Sequence, residues 1–230
     1  MEIQTFCTCI IPFFNEGDRI LNVLDIVSKE KSVSQIICVD DGSTDGVAQH
    51  IQQLFPQVLV IQLKRNKGKA AAVAAGLKKA SAGVVFLLDA DLRGLKTGEI
   101  DNTMRYFQQH PELTMIIWRR MHAPFITKFN RSDILFSGER VLRKEDLEAA
   151  FALNPVGFQL EAAINNHIQQ HHKKAVWMPS TVRNTYKIQK YGLFKGLWKE
   201  LQMSRNIMHF LGFRNYLRQV MTFCTQKISY

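Results

Sequence analysis

A pair of carboxylates separated by a single residue follows an apolar run near the middle of the chain. Asp89 and Asp91 come directly after residues 84–88, whose continuous apolar character indicates a buried strand. Carboxylate oxygens are hard ligands, and proteins commonly hold Mg²⁺ with one or two of them together with phosphate oxygens. The pair therefore indicates a divalent cation beside a phosphate-bearing ligand. Taken alone, it fits a solvated turn equally well, because Asp is common in turns.

Acidic side chains also follow two other apolar runs. Asp40 and Asp41 come after residues 36–39, and Glu16 follows the run that covers residues 6–11. The carboxyl ends of parallel strands meet at one edge of a sheet, and ligands bind beyond that edge. Several carboxylates gathered there repel one another unless a cation or a hydrogen-bonding ligand lies between them. This convergence favours a binding site over a solvated turn.

The elements that must position these residues alternate in the first half of the chain. Short apolar runs predict strands, and segments with apolar residues three or four positions apart predict the helices between them. Fully apolar strands separated by helices imply the α/β class, with a mostly parallel sheet covered on both faces. The predicted strands are residues 6–11, 36–39, 58–63, 84–88 and 113–118, and the predicted helices are residues 20–27, a segment ending near residue 55, residues 67–80 and residues 99–109.

The pattern changes after the fifth predicted strand. We expect an irregular loop over residues 120–135 and one or two amphipathic helices over residues 192–222. No internal repeat or low-complexity tract interrupts this organisation. The segments predicted in between are a strand over residues 137–142, helices over residues 145–151 and 157–170, and a short strand over residues 175–178.

The composition is that of a folded, basic protein. With 230 residues, of which 46% are apolar, the chain can bury a sizeable core, which excludes wholesale disorder. The formal net charge is +10, and Glu200 is the only acidic residue after residue 173. We therefore expect anionic partners, such as phosphates or acidic lipid.

The cysteines and the apolar runs bear on the protein's location. We expect the thiols to be buried and reduced, since no second pair of Cys or His offers the spacing of a zinc site. No apolar run approaches the roughly 20 residues that span a bilayer, and we expect that residues 1–5 are too short and too polar to be a secretory leader. We expect a cytoplasmic protein, which is peripheral on the inner face of the membrane if its basic C-terminal segment lies on anionic lipid.

Four motifs, in order and at matching spacing, resemble those of family-2 glycosyltransferases. They are residues 10–16, 39–46, 66–72 and 88–92, with weaker matches at residues 137–143, 157–161 and 187–192. The later pieces are similar to bacterial members of unassigned acceptor, and more distantly to dolichyl-phosphate mannosyltransferases and glucosyl-3-phosphoglycerate synthases. The resemblance implies the GT-A fold, a Rossmann-like, mostly parallel central sheet flanked by helices, here followed by a C-terminal amphipathic helical segment.

The first three motifs imply a pocket for a nucleotide. By the resemblance, Pro12 and Glu16 shape this pocket, with Glu16 near the ribose. Asp41 would accept a hydrogen bond from a uracil or guanine base, with Asp40 beside it, and Lys69 would lie beside the diphosphate. These roles suit the side chains, since carboxylates accept from base and ribose donors and Lys offers a point charge to phosphate.

The metal motif and later basic residues complete the donor site that the resemblance implies. Asp89 and Asp91 would contact the ribose or sugar and the metal, with Asp91 the surer ligand, and Arg140 would bind the donor. The cation would be Mg²⁺ or Mn²⁺, which bridges the diphosphate and neutralises the leaving group. Lys187 and Lys190 would bind the donor by closing over the diphosphate as a lid.

The catalytic base is the part of the family pattern that this chain departs from. No Glu-Asp pair of the kind found in many members follows residue 120, and residues 118–120 lack the Gln-x-x-Arg-Trp signature of processive synthases. Glu161 and Glu139 are the remaining candidates for a base, with Glu161 preferred, and Asp91 is the third residue expected to act in catalysis. An acceptor that is already ionised would need no strong base.

The expected activity is metal-dependent transfer of a sugar from a UDP- or GDP-sugar, with inversion. The acceptor stays open between a polyprenyl phosphate and a small phosphorylated acid. We expect no nucleic acid partner, because aromatic residues are not interleaved with basic ones on a sheet face. One alternative is a sugar-nucleotide pyrophosphorylase, which would need a Gly-rich basic loop in place of residues 12–16. The other is a non-catalytic nucleotide-binding module.

The domain organisation follows from these assignments. We expect residues 1–190 to form the catalytic domain, with a nucleotide-sugar-binding half over residues 1–118 and an acceptor half over residues 119–190. Residues 191–230 would form basic amphipathic helices that either pack back on this domain or lie on anionic lipid. Packing is the preferred interpretation, because amphipathic helices mostly bury their apolar stripe against a core.

Overall fold

The structure is a computed structural model that describes residues 6–121, 127–128, 131–157, 159–183 and 193–228. Within these ranges, seven strands form one sheet. They are β1 Cys7–Phe13, β2 Val33–Asp40, β3 Leu59–Gln62, β4 Val84–Leu87, β5 Leu113–Arg120, β6 Arg140–Arg143 and β7 Lys174–Ser180.

The order of the strands in the sheet is β3-β2-β1-β4-β6-β5-β7. Strand β6 runs antiparallel to both of its neighbours, whereas the other neighbouring pairs are parallel. In the register of the sheet, Ile10 lies opposite both Ile37 and Leu87. The carboxyl ends of β1, β2, β4, β5 and β7 consequently meet at one edge, as the sequence predicts for the strands that release carboxylates.

Helices follow most of the strands and cover the sheet. The described helices are α1 Arg19–Val27, α2 Val47–Leu54, α3 Lys69–Leu77, α4 Glu99–Gln109, α5 Ser132–Leu135, α6 Lys144–Ala150, α7 Gln159–Gln170, α8 Leu193–Leu211 and α9 Phe213–Thr222, with a 3₁₀ turn at Phe151–Leu153.

Two apolar clusters fill the space between the sheet and these helices. Cys9 and Ile11 of β1 belong to the cluster that contains buried residues of α1, α2 and α4. Ile10, which points to the opposite face, belongs to the cluster that contains buried residues of α3, α6 and α7. Both faces of the sheet are therefore covered, which explains why the parallel strands read as continuous apolar runs.

The C-terminal helices pack against the rest of the chain. Ile207 and Leu211 of α8 form a small buried cluster with Ala162 of α7. No helix in the described ranges is both long enough and apolar enough to cross a membrane. The preferred interpretation of the C-terminal segment, that it packs back on the preceding domain, agrees with these contacts.

Most element predictions agree with the structure, and the differences lie in the second half. Residues 120–135 contain the short helix α5, because Ser132 to Leu135 bury their side chains beneath β5. The strand expected over residues 137–142 begins only at Arg140, because the backbone bends at residue 138 before the strand starts. All four cysteines are free and buried, as expected.

Gly76 allows α3 to lie directly on the sheet, and this contact provides a test of the fold. A Cβ atom there would lie 2.8 Å from Ile10 Cγ2 and 3.1 Å from Val39 Cγ2. We expect Gly76→Ala to lower the free energy of unfolding by about 1–3 kcal/mol, because the overpacked core must shift to accept it. Urea denaturation measures this change. Gly83→Ala is the matched control, since no atom lies within 4 Å of its added Cβ; equal effects of the two substitutions would contradict the packing.

Candidate active site

A cleft of about 330 Å³ opens at the carboxyl ends of β1, β2 and β4. Its lining comes from the end of β1, from the loops that follow β1, β2 and β4, from the loop between β3 and α3, and from the first turn of α3. The lining residues are Pro12, Phe13, Phe14, Glu16, Asp41, Asn66, Gly68, Lys69, Ala72, Asp89, Ala90 and Asp91. The cleft is thus the place where the sheet edge gathers its acidic side chains.

Lys69 lies between two carboxylates in the wall of the cleft. Its Nζ is 2.7 Å from Asp89 Oδ1 and 2.8 Å from Glu161 Oε1. Burial by itself would lower the pKa of Lys69, but the negative charges of Asp89 and Glu161 raise that pKa above its usual value. Lys69 therefore stays positively charged throughout the physiological pH range.

Asp89 is held in its ionised form by its neighbours. Burial would raise the pKa of Asp89, but the charge and hydrogen bond of Lys69, with a further contribution from Arg120, lower this pKa to about 2. Asp89 is also within hydrogen-bonding reach of Glu139. Burial raises the pKa of Glu139, and the negative charge of Asp89 adds to the increase.

Gly138 leaves the space in which Lys69 and Asp89 meet. A Cβ atom at this position would lie 2.6 Å from Lys69 Nζ and closer still to Asp89 Oδ1. Real Cβ atoms do not approach polar atoms so closely, so any larger residue must displace the ion pair. The turn that carries Gly138 is therefore part of the site although it contributes no side chain.

Asp41 uses its carboxylate to shape the loop that precedes α3. Its Oδ1 accepts a hydrogen bond from the backbone N–H of Lys67 at 2.8 Å, and its Oδ2 accepts one from Gly68 at 2.7 Å. Gly42 allows this loop to approach, since a Cβ there would lie 2.6 Å from the carbonyl carbon of Arg65. Its φ of +80° also lies in the region that favours glycine. Asp41 borders the cleft and at the same time fixes the start of α3.

Asp40 has a different position from its neighbour. Its Oδ1 accepts a hydrogen bond from the backbone N–H of Ser43 at 2.7 Å, and its Oδ2 accepts one from Gln62 Nε2 at 3.4 Å. Asp40 is buried and does not border the cleft. Its carboxylate closes the turn after β2, and donor binding by Asp40 stays a prediction.

The loops after β1 and β2 are joined to each other at the cleft entrance. The backbone N–H of Asn15 donates to Ser43 Oγ at 2.9 Å, and Asn15 Oδ1 accepts from the backbone N–H of Thr44 at 2.9 Å. Glu16, which borders the cleft as expected, pairs with Arg19 at 2.8 Å. These contacts give the acidic entrance a defined shape before any ligand arrives.

Asp91 is half-buried and borders the cleft next to Asp89. Carboxylate oxygens of this kind suit a hard divalent cation. Among the described residues, no group of three or more His, Cys, Asp or Glu side chains is placed to hold a metal ion by itself. The donor set therefore fits a cation that takes only one or two protein ligands and completes its coordination with phosphate and water oxygens.

The structure brings six of the expected site residues to the cleft and leaves others beneath it. Those that border the cleft are Pro12, Glu16, Asp41, Lys69, Asp89 and Asp91. Lys187 and Lys190 lie outside the described residues. Glu139 and Glu161 are buried behind Lys69 and Asp89 and do not border the cleft, which differs from the expectation that one of them reaches the acceptor as a base.

Arg140, which the resemblance expects to bind the donor, does not border the cleft. The residue is fully buried, with Nε donating to the carbonyl of Ser137 at 3.0 Å and Nη1 donating to Asn165 Oδ1 at 3.0 Å. Burial lowers its pKa. Arg140 therefore holds the turn that contains Gly138 against helix α7.

The sequence patterns do not indicate a role for three residues that lie in or beside the site. Arg120 Nε lies 3.8 Å from Glu139 Oε2, and the charge of Arg120 helps to lower the pKa of Asp89. In the sequence, nothing distinguishes Arg120 from other basic residues near the end of a strand. Phe14 exposes 42% of its surface at the cleft entrance, and its place inside the first motif was the available signal. Gly138 belongs to one of the weaker motifs, but its role depends on its close approach to Lys69 and Asp89, which are distant from it in sequence.

Comparison with known proteins identifies the family to which this chain belongs. A model of Glycosyl transferase family 2 matches residues 8–178 of the chain. Among individual relatives, a dolichol-phosphate mannosyltransferase of Pyrococcus furiosus is 29% identical over 204 residues, which cover 75% of this chain and 55% of the relative. The chain spans less than half the length of the relatives it matches first, 29%, 21% and 43% of them.

Two examples from the solved structures show the shared fold. Glucosyl-3-phosphoglycerate synthase from Mycobacterium tuberculosis, in complex with phosphoglyceric acid, matches with a TM-score of 0.72 at 17% identity, over 91% of this chain and 80% of that one. It is also known in complex with Mn²⁺, UDP and phosphoglyceric acid. A mannosyltransferase from Pyrobaculum calidifontis, in complex with GDP-Man and Mn²⁺, matches with a TM-score of 0.64 at 18% identity, over 92% and 69%. The predicted GT-A fold is thereby confirmed.

The ion pairs of Lys69 can be tested by replacing this residue and measuring stability. We expect Lys69→Met to lower the free energy of unfolding by about 2–4 kcal/mol at neutral pH, because it leaves Asp89 and Glu161 without their shared cation. The ionised Asp89 stabilises the wild type above its ordinary pKa of 3.8, and this contribution is lost as the pH falls towards about 2. Urea denaturation should therefore show a smaller difference between the two proteins as the pH falls through this window.

Lys67→Met is the control for this measurement, because Lys67 is an exposed cation two residues earlier, in the loop that precedes α3. We expect it to change stability by less than about 0.5 kcal/mol. A Lys69→Met penalty that stays constant from neutral to acidic pH would contradict the assigned ion pairs.

Proposed function

Because this chain belongs to Glycosyl transferase family 2, we propose that it transfers a sugar from a nucleotide-sugar donor to a phosphate-bearing acceptor. The observation that carries this proposal is the cleft in which Asp41, Lys69, Asp89 and Asp91 meet at the carboxyl edge of the sheet. A nucleoside diphosphate combines the hydrogen-bond donors of its base and ribose with two negatively charged phosphates. The cleft offers carboxylates that accept such hydrogen bonds, and it places the positively charged Lys69 beside them.

The nucleoside would occupy the part of the cleft formed by the loops after β1 and β2. Asp41 and Glu16 border this part, and Phe14 presents an exposed aromatic ring at its entrance. Carboxylates accept hydrogen bonds from base and ribose, and an aromatic ring provides a surface on which a base can stack. We propose UDP or GDP as the nucleotide, which is supported by the UDP and GDP-Man complexes of the two solved neighbours.

The diphosphate would lie near Asp89 and Asp91. We propose that Asp91, with Asp89 beside it, holds Mg²⁺ or Mn²⁺, in keeping with the Mn²⁺ complexes of both neighbours. Such a cation neutralises charge that develops on a departing diphosphate. Lys69 adds a second positive charge, and its pairing with Asp89 and Glu161 keeps it ionised and fixed in direction.

The acceptor is proposed to be an anion that needs no protein base. Glu139 and Glu161 are buried and engaged with other side chains, whereas an ionised phosphate can attack without losing a proton. In the proposed step, an acceptor oxygen bonds to the anomeric carbon while the bond from that carbon to the donor phosphate breaks. The nucleoside diphosphate leaves with the electron pair, and attack from the opposite face inverts the configuration.

Basic residues support an acceptor of this charge. Arg93 lies two residues after Asp91, and its backbone N–H and C=O pair with those of Arg183 at 2.9 and 2.8 Å. Antiparallel pairing of this kind sets the two residues side by side, and both are exposed. An anion near this pair would relieve the repulsion between the two guanidinium groups. Polyprenyl phosphate and a small phosphorylated acid both carry the required charge.

The alternatives have less support. A sugar-nucleotide pyrophosphorylase needs a Gly-rich basic loop after β1, and this chain has Pro12, Phe14 and Glu16 bordering the cleft there. No observation favours a non-catalytic module. A cytoplasmic location is part of the proposal and is supported by the four free, buried thiols, which suit a reducing compartment.

Metal-dependent nucleotide binding tests the donor site directly. With Mn²⁺ present, we expect one of UDP and GDP to raise the melting temperature of the wild type, since a ligand at a hundredfold excess over its Kd stabilises by about 2.7 kcal/mol. Asp91→Asn should lose the Mn²⁺-dependent part of this shift, and Asp25→Asn, on the exposed face of α1, should keep it. A metal-dependent shift that survives in Asp91→Asn would count against Asp91 as the ligand.

The space at Gly138 provides a test of the reacting geometry. We expect Gly138→Ala to reduce kcat for sugar transfer, or for hydrolysis of the donor, by at least about tenfold, because it displaces Lys69 and Asp89. Gly83→Ala should leave kcat unchanged. A Gly138→Ala protein that folds normally and retains full kcat would refute the role of the Lys69–Asp89 pair.

A further inference from the structure

Helix α9 has an inner face that is fixed to the domain. Gln219 is buried, and its Nε2 donates to the carbonyl of Ala162 at 3.0 Å. Thr222 Oγ1 accepts a hydrogen bond from Gln169 Nε2 at 2.8 Å. These contacts hold α9 along helix α7, so its inner face is already occupied by protein.

The end of α9 is fastened by a second set of contacts. Arg131 donates from Nη1 to the carbonyl of Val220 at 2.8 Å and from Nη2 to that of Phe223 at 2.6 Å. Beyond the helix, the backbone N–H of Trp177 in β7 donates to the carbonyl of Gln226 at 3.0 Å. Any surface that binds the outer face of α9 would therefore bind the whole domain in a defined orientation.

The outer face of α9 carries a ridge of exposed apolar side chains. Phe213, Leu217 and Met221 expose 64%, 43% and 66% of their surface. Residues four positions apart lie on the same side of a helix, so the three side chains form one continuous stripe, roughly opposite to Gln219. Large apolar side chains that are exposed together in this way mark an interaction surface.

Basic residues lie beside the ridge. Arg214 and Arg218 each follow a ridge residue by one position, and both are exposed. No acidic residue occurs in α9, and Glu200 is the only one after residue 173 in the whole sequence. The outer face thus combines an apolar stripe with an unbalanced positive charge.

We infer that the outer face of α9 docks the protein on an anionic lipid surface. Apolar side chains of a helix that lies in the membrane plane enter the boundary between headgroups and acyl chains, while adjacent Arg side chains bind acidic headgroups. A second copy of the chain fits less well, because a two-fold interface brings each patch against its own equivalent. Arg214 and Arg218 would then face their counterparts without an acidic partner on α9.

Vesicle flotation with the full chain tests the docking. We expect the wild type to float with vesicles of phosphatidylcholine and phosphatidylglycerol, to stay unbound with phosphatidylcholine alone, and to be released as the salt concentration rises. Replacing the ridge with Phe213→Ser, Leu217→Ser and Met221→Ser should weaken binding by at least about tenfold, because the apolar insertion is lost.

A matched triple variant controls for the loss of exposed apolar surface. Leu54, Leu153 and Val156 expose 62%, 45% and 66% of their surface and lie away from α9. The protein with these three residues changed to Ser should bind vesicles as the wild type does. Circular dichroism of both triple variants confirms that a loss of binding is not a loss of fold.

The charges are tested in the same way. Arg214→Gln with Arg218→Gln should weaken binding to anionic vesicles by about tenfold or more, whereas Lys78→Gln with Lys79→Gln, exposed at the end of α3, should reduce it much less. Asp91→Asn should bind vesicles normally, which separates docking from sugar transfer. Absence of wild-type binding to anionic vesicles would overturn the inference, and so would a ridge that proves to hold two copies of the chain together in solution.

Discussion

The shared position of Lys69 between Asp89 and Glu161 is the interaction on which the rest of the site depends. A buried charge that loses its partner is strongly destabilising, so the three side chains must stay together whenever the protein is folded. They come from α3, from the loop after β4 and from α7. The ion pairs therefore join three separate elements at one wall of the cleft and fix the direction of the positive charge.

The convergence of carboxylates at the sheet edge is partly balanced by the protein itself. Asp41 accepts hydrogen bonds from two backbone N–H groups, Asp40 closes its own turn, and Asp89 is paired with Lys69. Repulsion among acidic side chains is thus a weaker argument for a bound cation than the sequence alone suggests. The residues that border the cleft, above all Asp91 next to Asp89, offer the oxygen ligands that such a cation prefers.

In the second half of the chain, helix α7 links the site to the C-terminal helix α9. Arg140 is fully buried and ties the turn with Gly138 to Asn165 of α7, and the same helix holds α9 through Ala162 and Gln169. One helix thus contacts both the wall of the cleft and the helix that presents the exposed ridge. If α9 docks on anionic lipid as inferred above, that arrangement would orient the cleft relative to the lipid surface.

The sequence by itself determined the elements, the fold class and most of the cleft. Apolar periodicity depends on neighbours along the chain, and motifs such as residues 39–46 and 88–92 are local, so both can be read without coordinates. Only the tertiary structure decided that β6 runs antiparallel between β4 and β5, that Arg140 and Glu139 are buried, and that Gly138 meets Lys69. These features arise from contacts between residues far apart in sequence, where burial and close approach, rather than residue type, determine the role of a side chain.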